Sequence, residues 1–306
     1  MTQPPFWQPA MARAQLWRTA LGFALVMAIW MVVSFVVVVG GARLLQVPTA
    51  VLAAGNDWAS AAVFFTSFIG FHIALALVLP LLHRRGYASL LGPTLRLNLR
   101  HFAIGTAVTL AIALGLTVLM ALEHLVLADE LVPPTAQARP LAPWLLGLLP
   151  ALALILMQTF AEEAVFRGYL LQQLRARYRS AVIWGIGPAL LFGLLHFQPG
   201  LYGTTNAAAY VLNATVMGTI AAFVTLRTGN LGAAAGLHFG NNASMTLMGI
   251  GGSLDGFSLF TAEIALRSGY MTYSILTQTV FTALVFLLWW RWMARHRPIA
   301  NDAPAA

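Results

Sequence analysis

Two adjacent carboxylates and an arginine lie at the end of an apolar run that is about as long as a membrane span. The run, 140–161, contains no charged residue, and it leads directly into Glu162 and Glu163, with Arg167 one turn later. A charged residue at the centre of a span costs about 2.5–3.5 kcal/mol on insertion scales, so such groups usually pair, face the protein interior and serve a function. We therefore predict that Glu162 is a catalytic base held within a membrane.

The spacing of these three residues predicts different roles for the two glutamates. Glu163 and Arg167 are four residues apart, so they can form an ion pair on one face of a helix. Glu162 is turned about 100° away from Glu163 on the same helix and is free to face a cavity. One carboxylate is thus predicted to be structural, and the other is available for chemistry.

Two histidines follow in later apolar stretches. One stretch runs from Phe192 to His196, and the other runs from His238 to Asn242, so that His238 and Asn242 share a helix face. A carboxylate, two imidazoles and a carboxamide suit the hydrolysis of an amide by water. Neutral histidines ligate zinc, a carboxylate deprotonates water or binds metal, and a carboxamide donates to an oxyanion. These residue types leave open whether Glu162 is a metal ligand or a base.

The positions of Glu162 and His196 along the chain predict that they lie side by side. Both are 17 residues from position 179, which lies in the polar turn 177–180. Two antiparallel helices joined by that turn would present the carboxylate and the imidazole at matching depth. The prediction assumes that the helix carrying Glu162 continues without a break to the turn.

A stripe of small residues surrounds His238. Gly232, Gly236 and Gly240 repeat every four residues, a spacing that lets a second helix approach closely. We expect this close approach to bring His238 toward Glu162 and His196.

The composition places these residues in a polytopic membrane protein. Of the 306 residues 59% are hydrophobic and only 8% are charged, and the mean hydropathy is +0.79. A span needs enough apolar residues to cross about 30 Å of hydrocarbon. On that criterion we predict an all-α chain of about eight transmembrane helices, near 19–40, 60–82, 103–122, 143–170, 181–197, 208–226, 231–248 and 272–292.

The net charge of +8 comes from 17 arginines without any lysine. They lie mainly in the loops between predicted spans, so no nucleic-acid partner is expected. With both termini in the cytoplasm, the outer loops hold only Arg43, Arg139 and Arg267, which fits the positive-inside rule. The absence of cysteine excludes disulfides, thiolate metal sites and a cysteine nucleophile.

The expected organisation is one membrane domain with short ends. Polar connections at 123–142 and 249–271 are expected to be loops or interfacial segments. The predicted parts are a cytoplasmic N-terminal segment at 1–18, a transmembrane domain at 19–293 with a catalytic core at about 143–248, and a C-terminal tail at 294–306.

Three motifs in this order and in successive predicted helices, Glu-Glu-x-x-x-Arg, Phe-x-x-x-His and His-x-x-x-Asn, resemble the CPBP family of intramembrane proteases. That family contains the CAAX prenyl endopeptidases and bacterial relatives of the Abi type, and its helical bundle agrees with the eight-helix layout. The resemblance covers about 160–245. It implies hydrolysis of peptide bonds in a membrane protein or peptide, with a catalytic set of Glu162, His196, His238 and Asn242 and structural support from Glu163, Arg167 and Phe192.

The resemblance also implies a zinc ion on Glu162, His196 and His238, because the family is commonly described as metalloproteases. The alternative is that Glu162 and His196 activate water without a metal. The expected partners are the lipid bilayer and a membrane substrate, and the lysine-free composition indicates a bacterial inner membrane. Two other functions stay open: a noncatalytic scaffold or bacteriocin-immunity protein on the same fold, and a transporter, although paired inverted repeats are not evident.

Overall fold

The computed structural model describes residues 4–128 and 131–296, so residues 297–306 of the predicted C-terminal tail lie outside the described part. Nearly all regular structure in the described part is helical. The α-helices are α1 (Leu16–Leu45), α2 (Thr49–Ala54), α3 (Trp58–Thr66), α4 (Ile69–Val78), α5 (Leu99–Val126), α6 (Leu141–Glu163), α7 (Leu171–Arg175), α8 (Gly187–Leu194), α9 (Pro199–Thr228), α10 (Gly232–Ser244) and α11 (Gly269–His296).

Several of these helices are long and apolar enough to cross a membrane. Their backbone hydrogen bonds are satisfied within each helix, which the hydrocarbon region requires. The chain is therefore an all-α integral membrane protein. Within the described residues the six candidate spans are Leu16–Leu45, Trp58–His83, Leu99–Val126, Leu141–Arg175, Pro199–Thr228 and Gly269–Met293.

Six of the eight predicted spans coincide with these long helices, and the other two coincide with shorter helices. The predicted fifth span is the short helical stretch Val182–Leu194, and the predicted seventh is α10, which has 13 residues. Thirteen residues cover about 20 Å of helix, less than the roughly 30 Å of hydrocarbon. Both stretches resemble spans in sequence because apolar character alone does not report the length of a helix.

The helix that carries the two glutamates is continuous, as predicted. It begins as α6, passes through a π-helical stretch at Ala164–Leu170 and ends as α7. The wider π turn begins immediately after Glu163. Local π segments inside α-helices are frequent at functional sites.

The long helix α9 begins at Pro199 and is interrupted at Gly203. Gly203 has a φ of 73° and a ψ of 164°, which is outside the helical region and easily adopted only by glycine. The helix is therefore interrupted between the predicted spans 181–197 and 208–226. Because of this interruption, the first turn of α9 lies at an angle to the rest of the helix.

Two connections that were expected to be loops contain a small three-stranded sheet. Its strands are β1 (Thr135–Gln137), β2 (Met248–Ile250) and β3 (Phe260–Ala262), in the order β1-β3-β2. β1 pairs antiparallel with β3, and β2 pairs parallel with β3. The sheet joins the connection between α5 and α6 to the connection between α10 and α11.

Helix α10 packs against α5 at backbone distance. A Cβ added at Gly236 would lie 2.0 Å from the carbonyl oxygen of Phe102, and one added at Gly240 would lie 2.3 Å from Oγ1 of Thr109. Such approach is possible only where the side chain is a hydrogen atom. The predicted close contact is present, and α5 is the helix that makes it.

Candidate active site

Glu163 is the anchor of the site. Its Oε1 accepts a hydrogen bond from Nη1 of Arg167 at 2.8 Å, and both side chains are almost completely buried. The predicted ion pair is thus present. The Arg167 guanidinium also lies over the ring of Phe192, 4.7 Å from its centroid. Arg167 therefore contacts α6 through the ion pair with Glu163 and α8 through the ring of Phe192.

His238 bridges the two glutamates. Its Nδ1 lies 2.9 Å from Oε1 of Glu163, and its Nε2 lies 3.5 Å from Oε2 of Glu162. Because a carboxylate can only accept, Nδ1 of His238 donates to Glu163. The ring is thereby oriented so that Nε2 faces the second carboxylate.

Glu162 combines burial with access to a cavity. Its side chain is 12% exposed, and its Oε2 accepts a hydrogen bond of 2.8 Å from Nε2 of Gln158, one turn earlier. In contrast to Glu163, it has no arginine partner among the described residues. Glu162 is therefore held in place while remaining available to a ligand in the cavity.

His196 and His238 pack against the same aromatic ring. The ring centroids of Phe192 and His196 are 4.8 Å apart, and those of Phe192 and His238 are 6.0 Å apart. Nδ1 of His196 lies 2.9 Å from the carbonyl oxygen of Phe192 and must donate to it. A neutral His196 therefore keeps Nε2 as an acceptor. His196 and Glu162 line the same cavity.

Asn242 reaches Glu162 through a second carboxamide. Its Nδ2 donates to Oε1 of Gln158 at 3.0 Å, and Gln158 in turn donates to Glu162. Nδ2 of Asn242 carries two hydrogens, so the second one is still available for donation to an oxyanion, as the resemblance implies. In the structure Asn242 fixes the position of Gln158, and Gln158 fixes the carboxylate of Glu162.

The hydrogen-bonded chain extends further, to α11. Nε2 of Gln278 donates to Oδ1 of Asn241 at 3.0 Å, and Nδ2 of Asn241 donates to Oδ1 of Asn242 at 3.1 Å. Together with Gln158, four carboxamides donate in one direction and end on Glu162. Hydrogen bonds aligned in this way polarise one another in a low-dielectric interior.

A large cavity lies beside these groups. It has a volume of about 1520 Å³ and is lined by Glu162, His196, His238 and Asn242 together with apolar residues of α5, α9 and α11. Pockets for small ligands usually have volumes of about 300–1,000 Å³. The cavity thus has room for a segment of polypeptide.

The part of the chain that carries these groups also matches known proteins. Residues 143–244 match the family model described as type II CAAX prenyl endopeptidase Rce1-like. This segment is similar to the CAAX protease family, and we call it the CAAX protease segment. Uncharacterized protein YyaK of Bacillus subtilis (strain 168) is 34% identical over 101 residues, which are 32% of this chain and 32% of that protein. The chain thus matches about a third of the length of this curated relative.

The CAAX protease segment offers donor groups that suit zinc, but their arrangement does not form a complete site. Within residues 4–128 and 131–296, no three His, Asp or Glu side chains are grouped so that they could hold one ion. Only His238 and Glu162 approach each other directly, at 3.5 Å. Zinc on Glu162, His196 and His238 therefore stays a prediction, and no step proposed below uses a metal.

Two features of the CAAX protease segment are absent from the sequence-based prediction. One is Gln158, although a glutamine four residues before Glu162 in an apolar run is itself a signal of a polar site. The other is the bond between His238 and Glu163, because Glu163 already has a local partner in Arg167. A contact between residues 75 positions apart has no local sequence signature.

Proposed function

We propose that this chain is an intramembrane endopeptidase that hydrolyses peptide bonds of a membrane-associated protein or peptide. The observation that carries the proposal is the His238 ring bridging two buried carboxylates, one anchored by Arg167 and the other facing a cavity. The family of residues 143–244 supports the same reaction class. Buried charged groups in a span are expected to serve a function, and these form one connected cluster.

The charges of the cluster balance in one protonation state. Glu162 and Glu163 contribute two negative charges, and Arg167 contributes one positive charge. A protonated His238 brings the sum to zero, and each of its ring nitrogens then faces a carboxylate. Neutrality matters here because an uncompensated charge away from water costs several kcal/mol.

In the proposed reaction Glu162 acts as the general base. It takes a proton from water, and the water oxygen attacks the carbonyl carbon of the scissile peptide bond. When the carbon–nitrogen bond breaks, the same proton passes to the departing amine. Nε2 of His196 accepts a hydrogen bond from the water, and Nε2–H of His238 donates to the oxyanion.

Gln158 and Asn242 act as positioning residues for Glu162. Gln158 restrains the carboxylate through the bond to Oε2, and Asn242 restrains Gln158. Rate enhancement by a general base depends on such restraint, because small errors in position weaken proton transfer.

We further infer a setting for this enzyme. The chain lies in a bacterial inner membrane with both termini in the cytoplasm, as the distribution of arginines between loops indicates. The catalytic core is the segment at about 143–248, between the N-terminal segment 1–18 and the C-terminal tail 294–306. Its partners are the bilayer and a membrane substrate.

Comparative membrane proteomics tests the function and searches for the substrate at the same time. Cells carrying the wild-type chain are compared with cells carrying Glu162→Gln, and the expected result is a set of protein fragments present only with the wild type. Glu263→Gln is the matched control, because Glu263 is not among the residues that line the cavity. Identical fragment sets in all three would support a noncatalytic scaffold, and ion-gradient-dependent solute flux in proteoliposomes would support a transporter.

A further inference from the structure

The cavity that contains Glu162 also contains a second buried carboxylate, Glu123 on α5. Glu123 is only 8% exposed. Its Oε2 accepts a hydrogen bond of 2.6 Å from the hydroxyl of Tyr270, and its Oε1 accepts one of 2.5 Å from the hydroxyl of Tyr273. All three residues line the cavity, and the proposed reaction uses none of them.

The negative charge of Glu123 lacks a compensating cation within the described part of the chain. The ion pairs found there involve Glu162 and Glu163 but not Glu123. A phenol stabilises a carboxylate by donating a hydrogen bond, yet it leaves the net charge unchanged. A carboxylate offers about four lone-pair positions, so two phenol donors leave room for further donors.

Two aromatic rings lie at this carboxylate, and two more line the same cavity. The ring centroids of Tyr270 and Tyr273 are 5.6 Å apart, and those of Tyr202 and Tyr210 are 4.6 Å apart. All four rings line the same cavity, and Tyr202, Tyr210 and Tyr270 belong to one hydrophobic cluster. The faces of such rings attract ammonium and guanidinium groups. A carboxylate beside several aromatic rings is therefore suited to a cation.

We propose that Glu123, Tyr270 and Tyr273 form a subsite that binds a lysine or arginine side chain of the peptide substrate. The subsite rests on the proposed function, because it names the substrate class of the same cavity. The carboxylate supplies a charge-assisted hydrogen bond, and the rings contact the apolar stem and the cationic head. The subsite thereby selects peptides with a basic residue at a set distance from the scissile bond.

The helix α5 sets this distance. Thr109 on α5 lies against Gly240, two residues beyond His238 in α10. Glu123 follows Thr109 by fourteen residues, which corresponds to about 21 Å along an α-helix. An extended peptide advances about 3.3 Å per residue. The basic residue is therefore expected about six residues from the scissile bond.

The test uses membrane peptides in which one lysine is moved from three to nine residues from the scissile bond, on either side. A peptide with norleucine at the same position is the uncharged control. With the wild-type chain in liposomes, lysine near position six should raise kcat/KM about ten-fold over norleucine, through KM. Glu123→Gln should remove this preference, so that the lysine and norleucine peptides are cleaved with similar kcat/KM. Equal losses for both peptides, or no preference at any position, would overturn the subsite.

Charge reversal provides an independent variant. Glu123→Lys should favour glutamate over lysine at the selected position, whereas Glu263→Gln should keep the preference for lysine. A preference for lysine that survives Glu123→Lys would overturn the assignment.

Binding to the Glu162→Gln chain separates the subsite from the proposed reaction. Tighter binding of the lysine peptide than of the norleucine peptide, with no cleavage by the wild-type chain, would support the subsite and contradict the endopeptidase. Cleavage without any charge preference would overturn the subsite alone.

Discussion

Helix α10 holds its two neighbours by opposite means. Toward α5 it presents glycines, and a Cβ added at Gly236 would overlap the backbone of the facing helix. Toward α6 it presents polar side chains: His238 contacts Glu163, and Asn242 contacts Gln158. The first contact is between backbones, and the second is between the tips of side chains.

The difference shows how a short helix can carry catalytic groups precisely. A backbone contact at a glycine has no rotamer to change, so it fixes the depth and distance of α10 against α5. The side chains on the other face can then meet α6 with little freedom left, as a preorganised site requires. Substitutions can disrupt the contacts of each face separately, and we expect the two kinds of substitution to differ in their effects on stability and cleavage.

The largest effect on stability is expected from Glu163→Gln, which breaks the polar face. The change leaves the buried Arg167 without its counter-ion and His238 without its anchor. Breaking a buried pair on one side costs about 3–5 kcal/mol. Thermal unfolding in detergent should therefore shift to much lower temperature, together with a loss of cleavage. An unchanged melting temperature would contradict the structural role of this carboxylate.

Gly236→Ala breaks the glycine face. The added methyl group would meet the carbonyl oxygen of Phe102 at 2.0 Å, and backbone cannot move aside as a side chain can. Overpacking of this kind costs about 1–3 kcal/mol, and the displaced His238 should lower the cleavage rate as well. Gly115→Ala is the control, since a Cβ there has nothing within 4 Å. Equal unfolding curves for the two variants would show that the α5 contact is not tight.

Gln158→Leu tests whether the carboxamide contacts of the polar face serve catalysis or packing. It removes the hydrogen bond to Glu162 and leaves Asn242 without its acceptor, while keeping a side chain of similar size. An unsatisfied buried partner costs about 1–3 kcal/mol, so kcat should fall about ten- to hundred-fold with little change in KM. A changed pH profile should accompany the loss. A lower melting temperature with normal kcat would indicate that Gln158 serves packing alone.

Gln278→Met is expected to have a smaller effect, because it removes only the distant end of the carboxamide chain. We expect a fall in kcat of about two- to five-fold, corresponding to less than about 1 kcal/mol. A double-mutant cycle with Gln158→Leu measures whether the two residues act through one chain. Simple addition of the two effects would show that they are uncoupled.

Removal of metal decides between the zinc prediction and the proposed reaction, which uses no metal. Cleavage by the purified chain in liposomes should persist after prolonged dialysis against a zinc chelator. Loss of activity that zinc alone restores would instead support the ligand set Glu162, His196 and His238.

Most of the fold is predictable from the sequence because hydropathy and length identify membrane helices. The prediction also places spans at Val182–Leu194 and at α10, which have the apolar character expected of spans but are shorter than the other six. It also lacks the strands β1, β2 and β3, which have three residues each. Strands that short carry no periodic pattern and depend on pairing between distant connections.

The candidate site is predictable where its contacts are local. The pair of Glu163 and Arg167 follows from helical spacing alone, and the structure contains it. The partner of His238 depends on how α10 packs against α6, which spacing within one helix does not encode. Gln158 carries no charge, so a search for charged residues in the apolar run does not select it.

The central claim is that Glu162 does chemistry and does not merely support the fold. Cleavage of a membrane peptide by purified wild type and Glu162→Gln in liposomes tests it directly. Glutamine keeps the shape of the side chain and an acceptor for Gln158 but does not take a proton from water. The rate should fall at least about 100-fold while thermal unfolding still shows one cooperative transition of a folded chain. A variant that cleaves at the wild-type rate would contradict the account.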